Sequence, residues 1–273
     1  MNLNDLNKEQ RRAVELIGGP ILIFAGAGSG KTRVLTHKIA YLVQETGMLP
    51  ESILAVTFTN KAAQEMKQRV QQLLNMDISS MNVGTFHSIS ARILRREIQL
   101  LGFTNDFVIY DQDDSRTLIK KIIKDLNLDE KSFVPKSIQA QISNAKNKMI
   151  SAEYLSATAD GFMDEKISDI YTEYQNSLKL NNALDFDDLI IKPLDLFNEY
   201  PKRLEYYQDK FKYVLVDEYQ DTNRPQFEFI KALSLNHRDI CVVGDDDQSI
   251  YSWRGADVNN ILNFSDIFEE SNI

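Results

Sequence analysis

Ile21-Leu22-Ile23-Phe24-Ala25-Gly26-Ala27-Gly28-Ser29-Gly30-Lys31-Thr32 is the stretch that decides the fold. Four apolar residues suited to a buried strand run into a loop with three glycines, and an amphipathic segment from Arg33 to Val43 follows. Glycines let the backbone curl so that successive N–H groups converge, and a helix N-terminus adds partial positive charge. The strand–loop–helix order is therefore a phosphate cradle. In such a cradle Lys31 reaches the β- and γ-phosphates of a nucleoside triphosphate and the Thr32 hydroxyl takes Mg²⁺. The usual first glycine of the pattern is Ala25 here. Taken alone, the stretch predicts nucleotide binding against the blander reading of a glycine-rich turn before a helix.

Working outward, Leu6–Val14 reads as a helix start, with Asn7 as N-cap and Gln10 three residues on. Gln10 is then either a capping residue or an amide that reads an adenine edge. Downstream, Ile53–Thr57 and Met81–Gly84 are short β-prone runs. The first leads through Phe58-Thr59-Asn60 into a helix to about Leu74. The second leads through Thr85-Phe86-His87-Ser88 into a helix bearing Arg92, Arg95 and Arg96. Alternation of this kind predicts a parallel α/β sheet flanked by helices. From about Leu101 to Phe211 the pattern turns helical: Asp111–Leu126, Pro135–Lys148, Ala152–Ala157, Asp164–Leu180 and Asp185–Asn198, with Phe107–Tyr110 alone strand-like. Strands resume at Tyr213–Val216 and Asp239–Val243. The expected organisation is an α/β domain of residues 1–100 plus 211–273, interrupted by a mostly α-helical insertion at 101–210.

The 273 residues suffice for a sizeable core. No signal peptide and no bilayer-spanning apolar run is present, so a cytoplasmic location without a membrane partner is expected. The single cysteine, Cys241, sits in an apolar run and reads as a core residue. A net charge of −9 excludes polyanion binding by the whole surface but leaves room for a local basic groove.

Two further stretches carry chemistry. Val214-Leu215-Val216 ends in Asp217-Glu218. At the end of a strand in a P-loop protein, the Asp holds Mg²⁺ and the Glu polarises the attacking water. Val242-Val243 leads into Gly244-Asp245-Asp246-Asp247-Gln248-Ser249-Ile250-Tyr251-Ser252-Trp253-Arg254-Gly255-Ala256. Gln248 is placed to report a γ-phosphate, while Tyr251 and Trp253 beside Arg254 offer stacking surface to single-stranded nucleic acid. The competing reading makes both aromatics core residues, and the aspartates read as a solvated turn.

Taken in order, Leu6–Gln10, Ala25–Thr32, Thr57–Ala63, Gly84–Ser88, Ala183–Leu189, Val216–Asn223 and Gly244–Ala256 resemble the motifs of UvrD/PcrA/Rep-type superfamily 1 DNA helicases, N-terminal half. The resemblance implies a RecA-like fold and an ATP-dependent 3′→5′ helicase. Gln10 would contact adenine, and Ala25, Gly26, Ala27, Gly28, Ser29, Gly30, Lys31, Thr32 and Arg33 would hold ATP. Thr32 and Asp217 would bind Mg²⁺, Glu218 would serve as general base, and Gln248 would couple the γ-phosphate to DNA. Phe58, Thr59, Asn60, Thr85, Phe86, His87, Tyr251, Trp253 and Arg254 would line a single-strand track. The helical insertion, with Asn144–Lys148, would approach a duplex junction. Family members run well past twice this length and carry arginines on a second motor domain. The expectation is therefore of a fragment with weak ATPase and no unwinding. A nucleotide-gated DNA-binding module without turnover is the alternative, and a small-molecule kinase fits the acidic pair and aromatic block less well.

Overall fold

The computed structural model describes residues 3–26, 28–245, 256–257 and 259–273. Its helices and strands, in chain order, begin with α1 (Lys8–Glu15), β1 (Ile21–Phe24), α2 (Lys31–Thr46), β2 (Ile53–Thr57), α3 (Asn60–Leu74), β3 (Asn82–Thr85) and α4 (Phe86–Glu97). A helical stretch follows: β4 (Val108–Ile109), α5 (Gln112–Asp125), α6 (Pro135–Asn147), α7 (Ala152–Ala157), α8 (Phe162–Leu180), β5 (Ala183–Leu184) and α9 (Asp188–Glu199). The chain ends with α10 (Pro201–Lys210), β6 (Tyr213–Val216), α11 (Arg224–Ser234), β7 (Ile240–Gly244), α12 (Asn259–Leu262) and α13 (Phe264–Ile267). It divides into two compact units, Met1–Ile89 with Tyr200–Ile273, and Ser90–Glu199.

The first unit is an α/β fold on a five-stranded sheet of order β1-β7-β6-β2-β3, parallel at every pairing. β2, β6 and β7 are buried along their whole length, which is why they read as unbroken apolar runs rather than alternating ones. Ile21, Ala55, Leu215, Cys241 and Val243 pack with Leu35 and Ile39 of α2 and Met66 and Val70 of α3 in one apolar cluster. Cys241 is a free, fully buried thiol in that cluster, as its neighbours predict. Because all strands run the same way, the residues that follow β1, β7, β6, β2 and β3 line one edge of the sheet, where ligands of open parallel sheets collect.

The second unit is helical. Ile119 and Ile123 of α5, Ile138 and Ile142 of α6, and Ile170 and Tyr174 of α8 share a core. The sequence reading marks Phe107–Tyr110 as a strand; only Val108–Ile109 pairs, and it does so with Ala183–Leu184, a strand too short to leave a periodic signal. The helix expected from Asp185 begins at Asp188: the Asp187 carbonyl accepts its first helical bond from Ile191, and Asp185 stands before it, its carboxylate accepting the Asp188 N–H at 2.8 Å. Four helices, α10 to α13, are unmarked in that reading. α11 starts from a capping box of Asn223 with Gln226. No described helix is long and apolar enough to cross a membrane.

Candidate functional site

The glycine-rich loop between β1 and α2, expected to hold phosphate, is built from positive φ. Gly28 and Gly30 stand at φ +72° and +88°, conformations that side-chain-bearing residues rarely adopt. Ala25 has no such φ, so an alanine in place of the usual glycine costs nothing there. The Ala25 N–H donates to Gly244 O of β7 at 3.0 Å, and Ser29 closes the turn by donating N–H and Oγ–H to Gly26 O at 3.2 and 2.7 Å. Ala27 lies outside the described residues. Arg33 is exposed on the first turn of α2.

Gln10 does more than cap. Its Oε1 accepts the Asn7 N–H at 3.1 Å while Asn7 Oδ1 accepts the Gln10 N–H at 2.8 Å, the reciprocal capping box. Its Nε2 also donates to Ser29 O in the phosphate loop at 2.8 Å. The capping and loop-facing roles coexist because an amide has two donor hydrogens and two acceptor lone pairs.

Beside the loop, the end of β6 supplies the acidic pair. Asp217 is buried, its N–H donating to Val56 O of β2 at 3.0 Å. Burial, and then the neighbouring Glu218 charge, push its carboxyl up to about 6; the Glu218 N–H, Lys31 and a hydrogen bond from Thr32 offset part of this. Glu218 occupies the left-handed region at φ +50°, an uncommon conformation for a side-chain-bearing residue and one found at functional turns. Lys31 Nζ lies 3.0 Å from Glu218 Oε2.

Gln220 is the residue that motif reading passes over. It is buried, its Nε2 donates to Glu218 Oε2 at 2.9 Å, and its Oε1 accepts the Asp245 N–H at 3.0 Å. It ties the acidic turn after β6 to the end of β7. The only sequence signal is its presence in the Val216–Asn223 block, since its partner Asp245 is 25 positions away. Gly244 leaves it room, because a Cβ there would lie 2.7 Å from Gln220 Oε1. Gln248, Tyr251, Trp253 and Arg254 lie outside the described residues.

Further along the edge stand the ends of β2 and β3, paired Thr57 to Thr85. The Phe58 and Phe86 rings meet edge to face, centroids 5.5 Å apart. Phe86 is only 1% exposed and backs Phe58, which is half-buried. Thr59 and Asn60 are exposed, and Thr59 Oγ1 caps α3 by accepting the Ala62 N–H at 3.1 Å. Thr85 Oγ1 accepts the Ser88 N–H at 3.2 Å at the start of α4. Burial pushes His87 down to about 4, so its imidazole is neutral at pH 7. In the second unit Asn147 Nδ2 donates to Asp187 at 3.3 Å, and Lys146 is fully buried in an ion pair with Asp185 and Asp188 at 2.6 and 2.9 Å.

A family model described as the UvrD/REP helicase N-terminal domain matches residues 6–269. The chain is 50% identical, over 271 residues, to the ATP-dependent DNA helicase PcrA of Bacillus subtilis (strain 168), covering 99% of this chain and 37% of that protein. It is 48% identical over 270 residues to the ATP-dependent DNA helicase PcrA of Staphylococcus aureus (strain Mu50), covering 99% and 37%. The protein of the same name from Staphylococcus epidermidis (strain RP62A) is 48% identical over 269 residues, covering 98% and 37%. The chain thus spans 37% of the length of these curated relatives.

Proposed function

The chain belongs to the UvrD/REP helicase N-terminal domain family, and from that premise we propose that it is the ATP-binding, strand-contacting portion of a 3′→5′ DNA helicase motor. One observation carries the reading. Lys31 of the glycine-rich loop, the Thr32 hydroxyl and the Asp217-Glu218 pair converge at one edge of the sheet, after β1 and β6 on either side of β7, with Lys31 3.0 Å from Glu218.

Gln10 keeps one amide hydrogen and one lone pair beyond its capping and Ser29 bonds, the complement of the N7 acceptor and N6 donor of adenine. The phosphate-loop N–H groups, with Arg33 at the mouth, receive the phosphates. For Mg²⁺ the donor set fits: a hydroxyl and a carboxylate in mutual contact, the acid under-neutralised by its surroundings. Among the described residues no three-residue cluster of metal ligands exists, in keeping with a cation that takes one or two protein oxygens and completes its shell on phosphate. Thr32 and Asp217 would hold Mg²⁺, which when bound would supply charge neutralisation to the phosphates. Glu218, steered by Gln220, accepts the proton of the water that attacks the γ-phosphorus in line, and Lys31 offsets the charge that builds on the phosphoryl oxygens. The opposite wall of the site, with its arginines, belongs to a second motor domain, and Gln248 relays γ-phosphate occupancy to the DNA side. Single-stranded DNA runs along the β2–β3 end of the edge, stacking on Phe58 and on Tyr251 and Trp253, with Thr59, Asn60, Thr85, His87 and Arg254 beside it. Phe86 acts from behind Phe58. Residues Ser90–Glu199 form the inserted subdomain that meets a duplex junction.

The test uses Glu218→Gln in a protein that includes the second motor domain, with ATP binding and DNA-stimulated phosphate release both measured. ATP affinity within about twofold of wild type with turnover reduced at least about 10²-fold is expected. Turnover at the wild-type rate removes Glu218 from the chemistry.

A further inference from the structure

Lys38 lies on α2 seven positions, about two turns, beyond Lys31 and is fully buried. Among the described residues it forms no ion pair. Its Nζ donates instead to Ala13 O at 3.0 Å and Leu16 O at 2.6 Å. These are carbonyls at the C-terminal end of α1, the end of a helix that lacks intrahelical donors and carries partial negative charge. The Tyr213 ring, 5.8 Å from Nζ, adds a weak attraction. Burying an ammonium in an apolar layer is costly, and a methionine fills the same space without charge. What the methionine lacks is the grip on α1.

That grip matters because of what the other end of α1 does. There Gln10 donates to Ser29 O at 2.8 Å. A single eight-residue helix is therefore fastened at its N-terminal end to the phosphate loop and at its C-terminal end to the helix that the loop initiates. We propose that Lys38 is a positioning residue for base recognition: it fixes the pitch of α1 and so holds the Gln10 amide in register with the phosphates. The inference rests on the reading of Gln10 as the adenine contact. Lys31 and Thr32 are held by the α2 backbone itself, so the triphosphate grip does not depend on Lys38.

Equilibrium binding of ATP and of GTP is measured on wild type, Gln10→Ala, Lys38→Met, Lys38→Arg and the Gln10→Ala/Lys38→Met double variant, with thermal melts as the fold check. Lys38→Met is expected to lower the ATP-over-GTP preference about five- to tenfold, as Gln10→Ala does, with GTP affinity within about twofold. The double variant should be no worse than either single one, and Lys38→Arg, which keeps the charge and donors, should restore the preference. If Lys38→Met does not fold, Lys38→Gln, with one donor group, takes its place in the same comparison. Equal losses for ATP and GTP, or additive losses in the double variant, overturn the inference while leaving Gln10 as the base contact. If Gln10→Ala leaves the preference unchanged, the base-edge reading itself fails and the inference falls with it.

Discussion

At the scale of single residues, the candidate site depends on side chains that hold other side chains. Glu218 takes a backbone conformation that disfavours it, and Lys31 and Gln220 fix where its carboxylate points. Replacing Gln220 with Ala frees the Glu218 carboxylate and strips the buried Asp245 N–H of its acceptor. We expect kcat for ATP to fall about tenfold with KM changed less than about threefold, since the loss is of orientation rather than ground-state binding. Steady-state kinetics decide the matter, and a rise in KM alone would make Gln220 a binding residue. The paired phenylalanines make a second case. Phe58→Ala should cost single-strand affinity, about 1–3 kcal/mol for one stacked base, with little change in melting temperature. Phe86→Ala, which empties a fully packed position, should cost about 3–5 kcal/mol of folding stability. Titration with labelled DNA alongside thermal melts separates them, and identical behaviour of the two variants would refute the division of labour.

At the scale of elements, the second unit has one costly feature in its core, the Lys146–Asp185–Asp188 group with the Tyr174 hydroxyl donating to Asp185 at 3.0 Å. Burial alone would lower the Lys146 pKa, but the two carboxylates hold it above its usual value. Asp185 is pushed up to about 6 by burial and then by Asp188. A carboxyl whose folded pKa exceeds its unfolded one contributes stability at low pH and loses that contribution as pH rises, here between about 4 and about 6. Lys146→Met removes the ammonium in contact with both buried carboxylates, leaving Lys192 as the cation acting on Asp188, and should destabilise the unit by about 3–5 kcal/mol at neutral pH. Acidification protonates the carboxyls, so the gap in melting temperature between variant and wild type should narrow from about pH 8 to about pH 5; a constant gap would mean that the loss is one of packing. None of this was visible in the sequence. Lys146 falls there within the Asn144–Lys148 stretch expected to approach a duplex, which its burial in this ion pair contradicts, and Asp185 at a predicted helix start, because burial is a property of partners 39 positions apart. The same limit hid Lys38 and Gln220. By contrast, the glycine turn after β1, the five strands of the main sheet and the helices that follow them were legible, since each is a local pattern of glycine placement, apolar run length or periodicity. Short β5 and the displaced start of α9 were not, because two-residue strands have no period and the other is set by which carbonyl accepts the first helical bond.

At the scale of the whole molecule, charge and topology set how nucleic acid is met. The single-strand binding proposed above, in a chain of net charge −9, would run through a narrow surface, with stacking carrying much of the affinity. The logarithm of affinity should therefore fall with the logarithm of salt at a slope shallower than about −3, or no more than about four phosphates neutralised at about −0.7 each. Titrations between about 50 and 200 mM salt measure it, and a slope near −6 would point to a broad basic track instead. The sheet has a mechanical consequence of its own. Asp217 N donates to Val56 O at 3.0 Å; Thr57, the last residue of β2, and then Phe58, just beyond the strand, follow directly. Between the carboxylate proposed to hold the metal and the ring proposed to meet a base there is one backbone hydrogen bond and two residues at the end of β2, too short a path to absorb much play. Such a linkage transmits displacement but generates none: it is a stiff rod, and the stroke of any motor built on it must come from what hinges against the rod.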